Sequence, residues 1–151
     1  SSIFFSDYCK YVYGLDLLSD FLKHNRKNIQ FLKKDLFNLK KKDFSKKINI
    51  ITLIDFIEHF TKSQGSSILS ICSNLIDKKG GTLIIGTPSI HSSKYRSKRS
   101  KIQHIHEYDG KELQKLCDKY FSRTFLFSMN DELVHTGFHK LAWFNFVVCV
   151  K

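Results

Sequence analysis

Short apolar runs alternate along this chain with stretches of helical period, and this order constrains the fold more than any other feature. The runs typical of strands and the stretches typical of helices follow one another as strand 11–16, helix 19–26, strand 29–32, strand 48–54, helix 66–76 and strand 82–87. Strands that alternate with helices build a mostly parallel sheet with helices packed against it. We therefore predict an α/β protein with a doubly wound, mostly parallel sheet.

Two of these segments carry most of the argument. Residues 48–54 are almost entirely apolar and rich in β-branched side chains, which is typical of a strand buried on both faces of a parallel sheet. Residues 66–76 carry apolar side chains at the i, i+1, i+4, i+7 and i+8 positions of an amphipathic helix. Gly80 and Gly81 follow as a stop signal. Residues 1–8 are predicted as the end of an earlier helix.

The C-terminal third departs from the alternation. Asp109 and Glu112 have the spacing of a capping box and predict that a helix begins there. Residues 124–129 and 142–150 read as strands whose connection is too short for a helical crossover, so we expect an antiparallel pair. Residues 89–101 are rich in Ser, Lys and Arg without a period, which predicts a mobile surface loop. Residues 40–47 predict a polar linker.

Length and composition fit one globular domain. The 151 residues are 42% hydrophobic, which is enough to bury a core, and no apolar run reaches the roughly 18 residues of a membrane span. We therefore predict a single domain over residues 1–151 and no membrane span. None of the four cysteines lies in a C-x-x-C motif. We expect buried, reduced thiols in a cytoplasmic protein.

The charge of +11 suits an anionic partner such as nucleic acid. Only four of the 25 basic residues are arginine, however, and arginine is the residue that most often recognises bases and phosphates. We therefore favour solvated lysines over a nucleic-acid surface, and both interpretations stay open.

Two acids end neighbouring predicted strands. Asp16 closes residues 11–16, and Asp35 follows residues 29–32. In nucleotide-binding α/β folds, an acid at the carboxyl end of the second strand accepts hydrogen bonds from ribose hydroxyls. This spacing suggests an adenosine-type ligand. The alternatives are an aspartate that caps a turn and a solvated acid beside lysines.

Five segments in order carry a resemblance. Their most characteristic parts are Tyr13-Gly14-Leu15-Asp16, Lys34-Asp35-Leu36, Asp55-Phe56-Ile57-Glu58-His59, Gly80-Gly81-Thr82-Leu83 and residues 104–113. Over its whole length the chain resembles class I S-adenosylmethionine-dependent methyltransferases, of the broad group that includes ubiquinone-biosynthesis-type O-methyltransferases. The resemblance implies a Rossmann-like fold and methyl transfer from S-adenosylmethionine to an oxygen or nitrogen of a small-molecule acceptor.

The resemblance also implies site residues. Asp16, with Leu15, would bind the ribose of the cofactor, and Asp35, with the Leu36 backbone, would bind the adenine. Asp55 would lie near the reactive end of the cofactor. The structural alternatives for Asp16 and Asp35 are those given above.

Histidines would then serve the acceptor. His59 would be the general base, since the ordinary pKa of histidine lies near neutrality, and His104 and Tyr95 would contact the substrate. Some relatives hold a divalent metal on a Glu-x-x-Glu-His motif. Asp55 stands at the first position of that motif here, so we predict no metal. The alternatives are a helix start at Glu58-His59 and hydrogen-bonded surface histidines.

One departure from the family pattern is large. The first strand of the family and its G-x-G-x-G loop do not occur in this sequence. We expect the sequence to be a truncated methyltransferase domain that lacks roughly the first third. The rival functions are a non-enzymatic basic α/β module that binds nucleic acid or phosphorylated partners, and an inactive methyltransferase-like protein.

Overall fold

The computed structural model describes residues 2–17, 26–131 and 133–151. The chain divides into two compact units, Ser1–Lys46 and Lys47–Lys151, each of which is described by itself below. The single domain predicted from the sequence stays a prediction.

The first unit is built around a pair of parallel strands. Its helix α1 covers Ser2–Phe5, its strands are β1 (Val12–Asp16) and β2 (Ile29–Lys33), and 3-10 turns follow at Leu36–Asn38 and Lys41–Asp43. These strands confirm two predicted ones. The predicted helix at 19–26 lies, except for its last residue, outside the described residues.

Packing in this unit depends on a glycine. Gly14 of β1 lies opposite Phe31 of β2, and a side chain at position 14 would overlap the Phe31 ring. Tyr13 packs edge-on against Phe44 with ring centroids 5.0 Å apart, and its hydroxyl accepts the Lys46 N–H at 3.0 Å. These contacts pack residues 44–46 against strand β1.

The second unit is a five-stranded sheet with helices. Its elements are β3 (Ile50–Ile54), α2 (Lys62–Leu75), β4 (Thr82–Pro88), α3 (Lys98–Gln103), α4 (Gly110–Cys117), β5 (Arg123–Asn130), β6 (Leu133–His135) and β7 (Phe144–Val150). The strand order is β3-β4-β7-β5-β6, in which only β3 and β4 are parallel. The predicted antiparallel C-terminal pair is confirmed by β5 and β7. The sheet is mixed rather than mostly parallel because β7 lies between β4 and β5 and β6 adds a further antiparallel edge.

The core lies on one face of this sheet. Alternate residues of β4 and β7, such as Leu83, Ile85 and Val147, are fully buried. The amphipathic stripe predicted in α2 is confirmed, since Ile68, Leu69, Cys72, Leu75 and Ile76 are buried. Helices on both faces, as in a doubly wound fold, stay a prediction.

Three cysteines meet in this core. Cys72, Cys117 and Cys149 are buried and free, which confirms the predicted buried thiols at these positions. Burial, together with the nearby Cys149, raises the pKa of the Cys72 thiol to about 12. A hydrogen bond with Cys149, together with burial, raises the pKa of Cys117. The thiols of Cys72 and Cys117 are therefore protonated at neutral pH and act as small apolar side chains.

Two expectations about this unit are wrong. Residues 48–54 are not buried on both faces: Ile50 is 57% exposed, and among the described strands β3 lies at the edge of the sheet and pairs only with β4. Residues 89–101 are not an irregular loop, because they form a 3-10 turn (Ile90–Tyr95) and the start of α3. Arg96 organises this segment by donating to the Ser89 carbonyl, the Ser92 hydroxyl and Glu107.

In the described part of the chain, none of the helices has the length and apolar character needed to span a bilayer.

The N-terminus of α2 gives a stability prediction. The Thr61 hydroxyl accepts the Gln64 N–H at 3.3 Å, and the Gln64 side chain accepts the Thr61 N–H at 3.0 Å. Thr61→Ala should lower the free energy of unfolding by about 1 kcal/mol, because it leaves a helix N–H without its acceptor. Urea unfolding measures this loss. The control is Ser63→Ala in the first turn of the same helix, and an equal loss in both variants would contradict the capping role.

Candidate functional site

The candidate site begins where β3 ends. Asp55 follows the strand with φ 49°, in the left-handed region that non-glycine residues rarely adopt, and its N–H donates to the Gly86 carbonyl at 3.0 Å. The 3-10 turn Ile57–His59 comes next. The strand end and this turn place Asp55, Glu58 and His59 at the carboxyl edge of two parallel strands, where ligands of open α/β sheets bind.

Glu58 is the most unusual side chain of the site. It is 0% exposed, and its Oε2 accepts the Thr87 hydroxyl at 2.9 Å. Its Oε1 is buried and has no hydrogen-bond partner among the described residues. Burial raises the pKa of this carboxyl. An unpartnered buried oxygen costs stability, so its retention points to a ligand that would occupy it.

Two histidines join Glu58. One potential ligand atom from each of Glu58, His59 and His104 lies within 4.8 Å of the others. His59 Nδ1 lies 3.0 Å from the Gln103 carbonyl, which can only accept, so in the neutral ring Nδ1 carries the proton and Nε2 has the lone pair. The Glu58 carbonyl also accepts the Ile105 N–H at 2.8 Å and the His106 N–H at 3.1 Å. This backbone clasp holds the segment that carries His104.

His104 has its own supporting group. Its Nδ1 lies 3.0 Å from Glu107 Oε1, and Arg96 donates to the same carboxylate oxygen. Burial and the charge of Arg96 lower the pKa of His104. Arg96 Nη1 also lies 3.0 Å from this Nδ1, and the Ser100 hydroxyl lies 3.3 Å from Nε2. In the tautomer whose Nδ1–H donates to Glu107, Nε2 keeps the lone pair with which a neutral histidine binds metal ions. The Glu58, His59 and His104 cluster therefore offers one oxygen and two nitrogens, a donor set that suits a divalent transition metal.

The structure brings together three of the predicted residues, Asp55, His59 and His104, in this unit. Asp55 is exposed and close enough to Glu58 and His104 to influence them electrostatically. Tyr95 is outside the cluster. The sequence indicates Glu58 only as part of a motif, and its position after an apolar strand, next to a histidine, is the available signal. The predicted lack of a metal stays untested, although the cluster fits one.

The other predicted residues lie in the first unit. Asp16 is the last residue of β1 and is exposed, and it lies opposite Lys33, two residues before Asp35. The two carboxylates therefore follow adjacent parallel strands, as predicted. Asp35 Oδ1 accepts the Phe37 N–H at 3.0 Å, which is the turn-capping role given as its alternative. Leu36 is buried and Leu15 is exposed.

Comparison with known proteins gives the fold. No protein-family model matches the sequence, and no curated protein matches it. The methyltransferase domain of a bacterial Hen1 superposes with a TM-score of 0.70 at 16% identity, over 99% of this chain and 83% of that one. The magnesium protoporphyrin IX methyltransferase ChlM of Synechocystis PCC 6803, solved with bound SAH, gives 0.62 at 15% identity, over 99% of this chain and 68% of that one.

A third solved structure is much longer. The Pnkp1/Rnl/Hen1 RNA repair complex gives a TM-score of 0.62 at 18% identity, over 96% of this chain, but this chain spans only 32% of its match there. At these identities the likeness shows the fold, which is that of S-adenosylmethionine-dependent methyltransferase domains. The α/β class predicted from the sequence agrees with this fold.

The buried Glu58 carboxyl predicts a pH dependence of stability. Because burial raises its pKa above the usual 4.5, the folded chain binds this proton more tightly than the unfolded chain. The contribution of the Glu58 carboxyl to folding stability is therefore complete below pH 4.5 and is lost as the pH rises through the raised pKa. With a chelator present, Glu58→Gln should gain stability over wild type as the pH rises from 5 to 8, measured by urea unfolding.

Glu112→Gln is the matched control for this measurement. Burial is the largest single influence on Glu112 and raises its pKa, but the hydrogen bond and charge of Lys62 together with those of His106 outweigh burial, so the pKa is lowered. Its contribution is present above the usual 4.5 and is lost as the pH falls. Glu112→Gln should therefore be less stable than wild type by a nearly constant amount from pH 5 to 8, and this difference should shrink only below pH 4.5. A gain in stability with rising pH in both variants would contradict the raised pKa of Glu58.

Proposed function

We propose that this chain is part of an S-adenosylmethionine-dependent methyltransferase that methylates an oxygen or nitrogen of its acceptor with the help of a divalent cation. The fold supports methyl transfer. The observation that carries the cation is the buried Glu58 Oε1, which has no partner in the described part of the chain and lies beside His59 and His104.

Each residue of the cluster has a role in this proposal. Glu58, His59 and His104 would hold the cation, and Glu107 would keep the His104 ring in place. A bound divalent cation lowers the pKa of an acceptor hydroxyl and fixes its position. This role for His59 replaces that of general base, which it would keep if the site worked without a cation.

The chemistry asks little else of the protein. The acceptor lone pair forms a bond to the methyl carbon, the sulfur–methyl bond breaks, and the acceptor proton passes to a base or to water. Asp16 and Leu15 would bind the ribose of the donor, and Asp35 and Leu36 its adenine. Asp55 would lie at the reactive end. The parallel strands β1 and β2 support the adenosine part, since they end next to each other with an acid after each.

Two classes of acceptor have support. A small molecule is the acceptor that the family resemblance implies. A nucleic acid is the second candidate, favoured by the charge of +11 and by structural neighbours named as a small RNA methyltransferase and an RNA repair complex. The exposed cations described below bear on this choice.

Removal of a ligand side chain should abolish cation binding. Mn²⁺ binding, measured by calorimetry on the full chain, should weaken at least about tenfold in Glu58→Gln and in His104→Ala, because each loses one donor atom. His135→Ala, on the hairpin strand β6, is the control and should bind Mn²⁺ as wild type does. Unchanged binding in both cluster variants would refute the cation site, and methyl transfer that resists a chelator would refute its role.

The adenosine site has a separate test. Asp16→Ala should weaken binding of S-adenosylhomocysteine about tenfold or more, because hydrogen bonds to a charged carboxylate are among the stronger ones. Calorimetry in the absence of metal measures this directly. Asp77→Ala, which removes the same charge from the turn after α2, is the control. Equal affinities for wild type and Asp16→Ala would remove Asp16 from the site.

A further inference from the structure

An aromatic pair is left open to solvent in the second unit. Tyr95 is 63% exposed and Trp143 is 49% exposed, and their ring centroids are 5.0 Å apart at an angle of 39°. Large exposed rings that contact each other mark a surface for interaction, because burying them would be favourable.

Hydrogen bonds of the Trp143 backbone fix this residue beside the segment that carries Tyr95. The Trp143 N–H donates to Asn130 Oδ1 at 3.1 Å and lies 3.2 Å from the Met129 carbonyl. The Trp143 carbonyl accepts the Ser89 N–H at 2.9 Å and the Ser92 hydroxyl at 3.1 Å. These bonds tie the backbone of Trp143 to the segment that carries Tyr95, and a fixed backbone lowers the entropic cost of binding.

Unpaired cations lie on the same segment. Lys94 Nζ is 4.7 Å from the centre of the Tyr95 ring, and Lys98, Arg99 and Lys101 are exposed on α3. Residues 89–103 contain no acid, and none of these four cations forms an ion pair with any described residue. Arg96 is the exception in the segment, because it pairs with Glu107. The segment thus carries uncompensated positive charge beside the rings.

This surface adjoins the candidate site along the chain. Tyr95 precedes Arg96, whose guanidinium contacts Glu107 and lies 3.0 Å from His104 Nδ1. Residues 89–103, which carry Tyr95 and the cations, are therefore followed directly by His104 of the proposed cation cluster.

We propose that this segment binds single-stranded nucleic acid, with bases stacked on Tyr95 and Trp143 and phosphates on Lys94, Lys98, Arg99 and Lys101. Stacking platforms beside cations are how proteins hold unpaired strands. Four cations spread over eight residues exceed what one phosphate needs, so the ligand is a strand rather than a single nucleotide. The inference rests on the second acceptor candidate of the proposed function.

Trp143 provides the readout, since it is the single tryptophan of the chain. Its fluorescence should be quenched when a 12-nucleotide uridine oligomer is titrated in a chelator without methyl donor. With four phosphate contacts, the logarithm of the binding constant should fall with that of salt with a slope of about −3. Tyr95→Ala should weaken binding about tenfold, because one stacking partner is lost.

Two charge-reversal pairs locate the cationic contacts. Lys98→Glu with Arg99→Glu should weaken binding at least tenfold and bring the salt slope to about half. Lys78→Glu with Lys79→Glu makes the same charge change in the turn before β4, at the opposite end of that strand from residue 89, and should stay within about twofold of wild type. Circular dichroism confirms that each variant is folded.

Several results would overturn the proposal. Equal losses in the two charge-reversal pairs would show attraction by net charge alone. Uridine monophosphate binding as tightly as the oligomer would show a single-nucleotide site. A shift of Trp143 emission with phosphatidylserine vesicles but not with the oligomer would assign the exposed Ile102 and Ile105 to a membrane. The binding titration omits donor and cation, so its outcome does not depend on methyl transfer. If the oligomer binds but RNA is not methylated in a separate assay that contains both, only the nucleic-acid acceptor is refuted.

Discussion

The second unit depends on a carboxyl group placed where water cannot reach it. Glu58 satisfies one oxygen through Thr87 and leaves the other without a described partner, while its carbonyl holds the segment after α3. Burial of an unpaired acid is unfavourable, and the strained Asp55 backbone just before it adds a further cost. The buried Glu58 oxygen and the Asp55 backbone thus both destabilise the fold at the carboxyl end of β3, where a bound ligand would compensate for the cost.

Local patterns in the sequence predicted the elements whose causes are local. The stripe of α2, the cap at Asp109 and the strands β1, β2 and β4 all follow from residue spacing. The organisation of residues 89–103 does not, because it depends on Arg96 reaching Glu107 across eleven positions. The exposure of β3 and the insertion of β7 beside β4 depend on strand order, which no single segment encodes.

The candidate site was predicted in part for the same reason. Asp55, His59 and His104 follow from the resemblance, and Asp16 and Asp35 from their places after two strands. The role proposed for Glu58 could not be predicted, because it rests on one buried oxygen that has no hydrogen-bond partner among the described residues. The exposure of Trp143 could not be predicted either. Position 143 falls in the same alternation as the buried Asn145, Val147 and Cys149, but it lies before the strand begins.

The clasp between residue 58 and residues 105 and 106 is made by main-chain atoms alone. Its strength is therefore independent of which side chain occupies position 58. At Glu58 the side-chain carboxyl faces the candidate site, whereas the backbone carbonyl holds residues 105 and 106. A chain made inert by exchange of that carboxyl would keep the arrangement around it, which makes such a form suited to trapping an unreacted acceptor for crystallography.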